Sequence, residues 1–130
     1  MADPPTTVTT ASELAGAVNA AAREIVVDGK ITGAPSITLP EGTTLRGGEL
    51  AFLAKGVRLT KDNALRDITI TTTPYEVAVY NDTTVSDAGT LSFHNVSTIG
   101  QVYIVADDDT MTVRVEADGL HVREDRKSVV

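Results

Sequence analysis

Aspartates that recur at regular intervals are the side chains of this 130-residue chain most suited to chemistry. Asp62 in "TKDN", Asp82 in "YND" and Asp108 in "ADDD" are twenty and then twenty-six residues apart, and Asp109 follows directly. If the chain folds with that period, these carboxylates stack along one edge about 4.8 Å apart. Like charges at that distance repel, and carboxylate oxygens suit calcium. The spacing therefore predicts a calcium site at Asp62, Asp82, Asp108 and Asp109.

A conformational interpretation of the same aspartates stays open beside the calcium site. Asp and Asn favour tight turns, where their side chains form hydrogen bonds with nearby backbone groups. Asn63 directly follows Asp62, as expected for such a turn. Both interpretations place these residues in the turns of a repeating structure.

Arginines and histidines supply the remaining candidates. Arg46 and Arg66 are twenty residues apart and predict either a groove for an anionic sugar or solvated charges on an exposed face. His94 and His121 have no carboxylate at a matching position and no third ligand, so neither a zinc site nor a general base is predicted. No catalytic constellation emerges, and whether the chain is an enzyme stays open.

Composition excludes several classes of function. The net charge of −7 argues against a nucleic-acid partner. No apolar stretch approaches the roughly 18 residues of a membrane span. The absence of cysteine excludes disulfides and thiolate metal sites, and the absence of tryptophan excludes a carbohydrate-binding face of stacked indoles. The opening "MADPPTTVTT" has no secretory-signal pattern, so the sequence leaves the localisation undetermined.

The elements that would position these side chains are short β segments that repeat. One apolar series has steps of twenty, twenty and twenty-six residues: Ile37 and Leu39, Val57 and Leu59, Val77 and Val79, Tyr103 and Val105. A second has steps of twenty, twenty-six and twenty-four: Leu45 and Leu50, Leu65 and Ile70, Leu91 and Val96, Val115 and Leu120. Such periods predict a β-solenoid, in which each coil covers the apolar side of the next. An immunoglobulin-like sandwich with antiparallel hairpins is the alternative.

One segment, "TTASELAGAVNAAARE", predicts a helix. Thr10 and Glu13 have the spacing of a capping box, and the apolar residues on one face are Leu14, Ala17, Val18 and Ala21. Because a solenoid exposes unpaired backbone at its first coil, we expect this alanine-rich helix to cover that end.

Three motifs together resemble the opening of a known fold. The helix "ASELAGAVNAAA", the strand "EIVVDGKITG" and the segment "ITLPEGTTLRGG" resemble the start of right-handed parallel β-helix proteins of the pectate-lyase-like superfamily. The resemblance covers residues 10–50 by motif and the rest by coil pattern. It implies an all-β fold, a right-handed parallel β-helix with an N-terminal capping α-helix. Lyases of that superfamily hold calcium on clustered aspartates and use a nearby arginine as base, but no segment here matches those motifs, so no catalytic residue is carried over.

The resemblance sets the expected function. It implies a β-helix scaffold or binding module, the N-terminal end of a carbohydrate-active protein, with an acidic or neutral polysaccharide as partner. The alternatives are a polysaccharide lyase or epimerase whose catalytic coils are missing from this chain, and a structural adhesin. An extracellular location is compatible with the resemblance.

The pattern divides the chain into three parts. We expect a flexible segment over residues 1–9, the capping helix with about four to five coils over 10–124, and a non-native tail over 125–130. The tail "DRKSVV", with a stop after it, equals one frame of a common sequencing adapter, so we expect the protein to continue beyond Glu124; an ordinary frayed terminus is the alternative. No cap is predicted after the last coil, and its open edge predicts self-association.

Overall fold

The computed structural model describes residues 5–53, 55–73, 76–105 and 111–123, which form one helix and twelve strands. The elements up to the second coil are β1 Thr6–Val8, α1 Ala11–Asn19, β2 Glu24–Val27, β3 Lys30–Ala34, β4 Ile37–Thr38, β5 Thr44–Arg46 and β6 Glu49–Phe52. The later elements are β7 Val57–Leu59, β8 Ala64–Thr71, β9 Val77–Asn81, β10 Asp87–Ile99, β11 Gln101–Tyr103 and β12 Thr112–Arg123.

These strands form two parallel sheets that the chain visits in turn. Sheet A contains β1, β2, β5, β8, β10 and β12 in that order, with β3 and β6 joined to it, and sheet B contains β4, β7, β9 and β11. Every strand pair between the described residues is parallel. The result is a parallel β-solenoid of about five turns, which confirms the predicted fold class.

The core consists of columns of apolar side chains stacked from coil to coil. Leu45 pairs with Leu65, and Leu50 with Ile70, as the twenty-residue step predicts. All four side chains are fully buried. Because each is covered by its neighbours in adjacent coils, its removal from water contributes about 1.5–3 kcal/mol, and the coils stabilise one another.

Beyond the second coil the register of sheet A differs from the prediction. Leu65 pairs with Phe93, a step of twenty-eight residues, and not with Leu91. The two additional residues fall between β8 and β9, because Val57 already pairs with a residue two positions beyond its predicted partner. The final predicted step of twenty-four is confirmed by the pairing of Leu91 with Val115.

The register of sheet B also differs from the prediction, and this difference places a predicted core residue on the outer face. Val57 pairs with Val79 rather than Val77, so the inward column moves by two residues. In the next coil Val102 takes the inward place and packs against the core. Tyr103 was predicted to point inward but is 57% exposed. Because side chains alternate along a strand, a small change of register reverses the face a residue occupies.

The helix α1 covers the first coil, as expected. The Thr10 hydroxyl oxygen accepts a hydrogen bond from the Glu13 N–H at 3.1 Å, and Glu13 Oε1 accepts one from the Thr9 N–H at 2.7 Å. Leu14 and Ala17 are buried against the strands of that coil. These contacts fix where the helix begins and which face it buries.

The helix ends earlier than the sequence pattern predicts. It stops at Asn19, and Ala21 adopts a left-handed conformation with φ of 55°. The Ala21 N–H donates to Val18 O at 3.0 Å and the Ala22 N–H to Ala17 O at 3.1 Å, which is a Schellman turn. Ala21 is consequently exposed instead of lying on the apolar face.

The segment before the helix also differs from the expectation of a flexible stretch over residues 1–9. Within it, β1 pairs with β2, placing Thr6 beside Ile25 and Val8 beside Val27. Val8 is buried, so the apolar contact holds this strand against the first coil.

One corner of the solenoid is marked by left-handed backbone in successive coils. Gly47, Asp67, Asn95 and Gly119 have φ values of 81°, 50°, 53° and 78°. The Asn95 amide donates to the Asp67 carboxylate at 2.9 Å across neighbouring coils. Asp and Asn tolerate this conformation better than other side chains, so the corner accepts them alongside glycine.

Candidate functional site

The predicted aspartate column does not form in the expected register. Leu59 pairs with Asn81, so Asp82 comes opposite Thr60, two residues before Asp62. Asp62 instead neighbours the start of β10, where its N–H donates to the carbonyl of residue 88 at 3.0 Å. The two carboxylates therefore belong to different turns.

The two carboxylates form different kinds of hydrogen bond: those of Asp82 lie within its own turn, whereas that of Asp62 joins it to β10. Asp82 Oδ1 accepts from the Thr84 N–H at 2.9 Å and from the Thr84 hydroxyl at 2.6 Å. Asp62 Oδ1 accepts from the Thr90 N–H at 3.0 Å. The Thr84 hydroxyl, followed by the Thr84 N–H and the Arg58 charge, holds the pKa of Asp82 below its ordinary 3.8, while desolvation opposes the shift. The contacts of Asp82 match the turn interpretation.

The other two predicted calcium ligands, Asp108 and Asp109, lie outside the described residues. Within the described ranges, no group of three or more histidine, aspartate or glutamate side chains could hold a metal ion. Calcium binding by Asp62, Asp82, Asp108 and Asp109 stays a prediction.

The predicted arginine column is present on the outer face of sheet A. Arg46 pairs with Arg66, and Arg66 with His94 of the next coil. Arg46 forms an ion pair with Glu24, and His94 Nδ1 lies 3.4 Å from Asp118 Oδ2, so the expectation that His94 has no carboxylate partner is wrong. His94 and Asp118 are largely exposed, and surface pairs of this kind contribute little.

A groove on the outer face of sheet B was not predicted from the sequence. The outward column runs through Thr38, Arg58, Tyr80 and Tyr103, each in register with the next. We call the tyrosine groove the concave surface formed by the side chains Lys55, Arg58, Tyr80, Asp82 and Tyr103 and their neighbours. It encloses a volume of about 410 Å³.

Contacts within the groove hold one of its two tyrosines, and the other is largely exposed. Lys55 Nζ lies 5.6 Å from the centre of the Tyr80 ring, within reach of a cation–π interaction. The Tyr80 hydroxyl is 3.2 Å from the Ser36 hydroxyl. Tyr103 is the more exposed of the two tyrosines and offers a ring face to solvent.

Hydrogen bonds also hold the Arg58 side chain and the floor of the groove. Arg58 Nε donates to the Thr38 hydroxyl at 3.0 Å, which orients the guanidinium along the sheet. Beneath it, the buried Asn81 amide donates to Val105 O at 2.7 Å and its carbonyl accepts from the Val105 N–H at 2.9 Å. Asn81 thus bonds one coil to the next and makes the floor rigid.

These side chains can recognise a ligand that is both ring-shaped and charged. Tyrosine presents an apolar face with a polar tip, and arginine binds carboxylates through a planar pair of donors. The available signal in the sequence was the alternation: Arg58 and Tyr80 follow the inward Val57 and Val79 directly, so they must point outward. Predicting that Arg58 and Tyr80 lie side by side required the correct register of β9.

No protein-family model matches this chain, and no curated protein or solved structure matches it significantly. The structure agrees with the fold expected from the resemblance in its parallel solenoid and its N-terminal helix. A separate observation concerns membranes: the described residues contain no helix long and apolar enough to cross a bilayer.

Proposed function

We propose that this chain is a β-solenoid binding module of the pectate-lyase-like kind, the N-terminal end of a carbohydrate-active protein, and that its tyrosine groove binds an acidic polysaccharide. The observation that carries the proposal is the outward column of Arg58, Tyr80 and Tyr103, with Lys55 beside it. The parallel solenoid supplies the rigid support that such a column requires.

The geometry suits an extended polymer. Tyr80 and Tyr103 lie on adjacent paired strands, so their backbones are one strand spacing, about 4.8 Å, apart along the solenoid axis. A chain lying along that axis meets successive strands and contacts both rings. The enclosed volume of about 410 Å³ falls within the range typical of ligand sites, roughly 300–1,000 Å³.

The charges favour an acidic over a neutral ligand. Lys55 and Arg58 line the groove of a protein whose net charge is −7, so the local charge opposes the overall charge. Asp82, the carboxylate in the same lining, is engaged by Thr84. The dominant charges that face the carboxylates of a bound uronate polymer would therefore be those of Lys55 and Arg58.

Titration calorimetry with an oligogalacturonate at low ionic strength tests the proposal. We expect saturable binding, weakened at least tenfold, about 1.4 kcal/mol, by Arg58→Ala. Tyr103→Ala should also weaken binding, because the exposed ring loses its stacking surface without disturbing the core.

Arg66→Ala is the matched control, since Arg66 is an exposed arginine on the outer face of sheet A. We expect it to leave the affinity unchanged. Equal losses for Arg58→Ala and Arg66→Ala would mean that only general charge attracts the ligand. Absence of saturable binding to the unmodified chain would reject the proposal.

A further inference from the structure

Among the described residues that line the tyrosine groove, Asp82 is the one carboxylate. Its two oxygens have different surroundings. Oδ1 accepts hydrogen bonds from the N–H and the hydroxyl of Thr84. Within the described part of the chain, no residue donates a hydrogen bond to Oδ2. One oxygen therefore holds the turn, and the other is available to accept a hydrogen bond from a ligand.

Asp82 is charged at neutral pH. The hydroxyl of Thr84, followed by its N–H, holds the pKa of Asp82 below its ordinary 3.8. The ion pairs formed between described residues do not include Asp82, and the Arg58 charge acts on it without such a contact. The groove therefore contains a negative charge as well as its two cations.

Lys55 and Asp82 lie on opposite sides of the groove. Lys55 precedes β7 and Asp82 follows β9, and these two strands are parallel neighbours. The column of Arg58, Tyr80 and Tyr103 runs between them, because Tyr80 comes two positions, about 6.6 Å, before Asp82. The groove thus changes from a cation at one side, across tyrosine rings, to a carboxylate at the other.

This order of groups matches the two edges of a uronate ring. A uronate carries its carboxylate on one edge of the ring and hydroxyl groups on the opposite edge. If the ring lies over Tyr80 with its carboxylate towards Lys55, its hydroxyls point towards Asp82. A hydroxyl that donates to a carboxylate forms a charge-assisted hydrogen bond, which is stronger than a neutral one. A second anionic group on that edge would instead face a like charge, which is unfavourable.

We propose that Asp82 determines which acidic polymer the tyrosine groove binds. Its Oδ2 accepts a hydrogen bond from a ring hydroxyl of a polyuronate, and its charge excludes polymers whose hydroxyls are replaced by sulfate. The inference rests on the proposed function and narrows its ligand to a polymer that is acidic on one edge of each ring.

The direction of the effect of Asp82→Asn tests this inference. Asparagine keeps an oxygen that can accept from the Thr84 N–H, but it replaces Oδ2 by an amino group and removes the charge. Loss of a negative charge by itself strengthens the binding of every anionic ligand. We expect titration calorimetry to show instead about tenfold weaker binding of an oligogalacturonate. A sulfated glucan oligosaccharide of equal length should bind more tightly than it does to the unmodified chain.

Asp87→Asn is the matched control. Asp87 Oδ1 also accepts from the N–H two residues along the chain, that of Gly89 at 2.9 Å, and Asp87 is not part of the groove lining. Asp87→Asn removes the same charge, so we expect the ratio of the two dissociation constants to stay unchanged. Asp82→Ser is a second variant, because serine is also accepted in such turns but has no second oxygen. It should reproduce the loss of oligogalacturonate binding, and circular dichroism checks that both Asp82 variants are folded.

The outcomes separate this inference from the proposed function. Oligogalacturonate binding that depends on Arg58 but is not weakened by either Asp82 variant would overturn the inference alone. An equal change of the ratio in Asp87→Asn would assign the selectivity to general charge and overturn it too. Tighter binding of the sulfated ligand than of the oligogalacturonate by the unmodified chain would have the same consequence. Absence of saturable binding to the unmodified chain would reject the inference together with the proposed function.

Discussion

The two ends of this solenoid have similar apolar columns but very different burial. At the first coil, β1 and α1 close the core, and Val8 and Leu14 are almost completely buried. At the last described coil, Val115 and Val122 occupy equivalent inward positions and are about half exposed. The side chains at both ends are aliphatic, so the difference comes from what lies beside them.

This difference shows how a solenoid gains its stability. An apolar column contributes in full only where a neighbouring element covers it on both sides. At the first coil that element is a helix, whose capping contacts and buried face are local to its own sequence. At the last described coil, no described strand pairs with the outer edge of β12.

The largest expected difference between the ends is the cost of truncating a side chain. Leu14→Ala should lower the free energy of unfolding by about 2–5 kcal/mol, because it leaves a cavity between α1 and the first coil. Val122→Ala should cost less than about 1 kcal/mol, since Val122 already contacts water. Urea titration at low protein concentration measures both, and equal costs would contradict a capping role for α1.

A smaller effect should come from the turn that ends the helix. Ala21→Gly should raise the free energy of unfolding by about 0.5–1 kcal/mol, because glycine adopts the left-handed conformation of Ala21 without strain. Ala20→Gly is the matched control: Ala20 has φ of −81°, and glycine there should destabilise the protein. A stabilising Ala20→Gly would mean that backbone strain is not the cause.

The smallest expected effect is a pH dependence of the stability that Glu13 contributes at the end covered by α1. The hydrogen bond from the Thr9 hydroxyl, followed by that from the Thr9 N–H, lowers the pKa of Glu13 below its ordinary 4.5. Because the folded pKa lies below the unfolded one, this stabilisation is present above about pH 4.5 and is lost as the pH falls through the folded value.

Thermal unfolding of the wild type and Glu13→Gln at about pH 7 and about pH 3 checks this sign. The wild type should unfold at the higher temperature at the neutral pH, and the difference should shrink at the acidic pH. A difference that grows on acidification would show that the charged form of Glu13 is not the stabilising one.

Much of the fold could be predicted from the sequence because its first coils are regular. Leu45 and Leu65 pair as the twenty-residue step requires, and Arg46 and Arg66 follow them on the outer face. The capping contact of Thr10 with Glu13 depends on residues three positions apart, so it too could be predicted.

The candidate site could not be predicted, because it depends on the register after the irregular segment between β8 and β9. Tyr103 was assigned to the core, whereas the observed pairing with Tyr80 places it in the groove. Asp82 was aligned with Asp62, but the pairing of β7 with β9 separates them. A shift of one or two residues leaves the periodic pattern almost unchanged while moving each side chain to a new neighbour or face.

The class of fold, the start of the helix and the columns of the first coils could be read from the sequence, because these follow from local capping and a constant repeat. Three features depend on the folded chain: which residues share the tyrosine groove, the contact of His94 with Asp118, and the burial of the core at each end. Parallel strands pair residues about twenty to twenty-eight positions apart, and the turns between the strands set that pairing through three-dimensional packing.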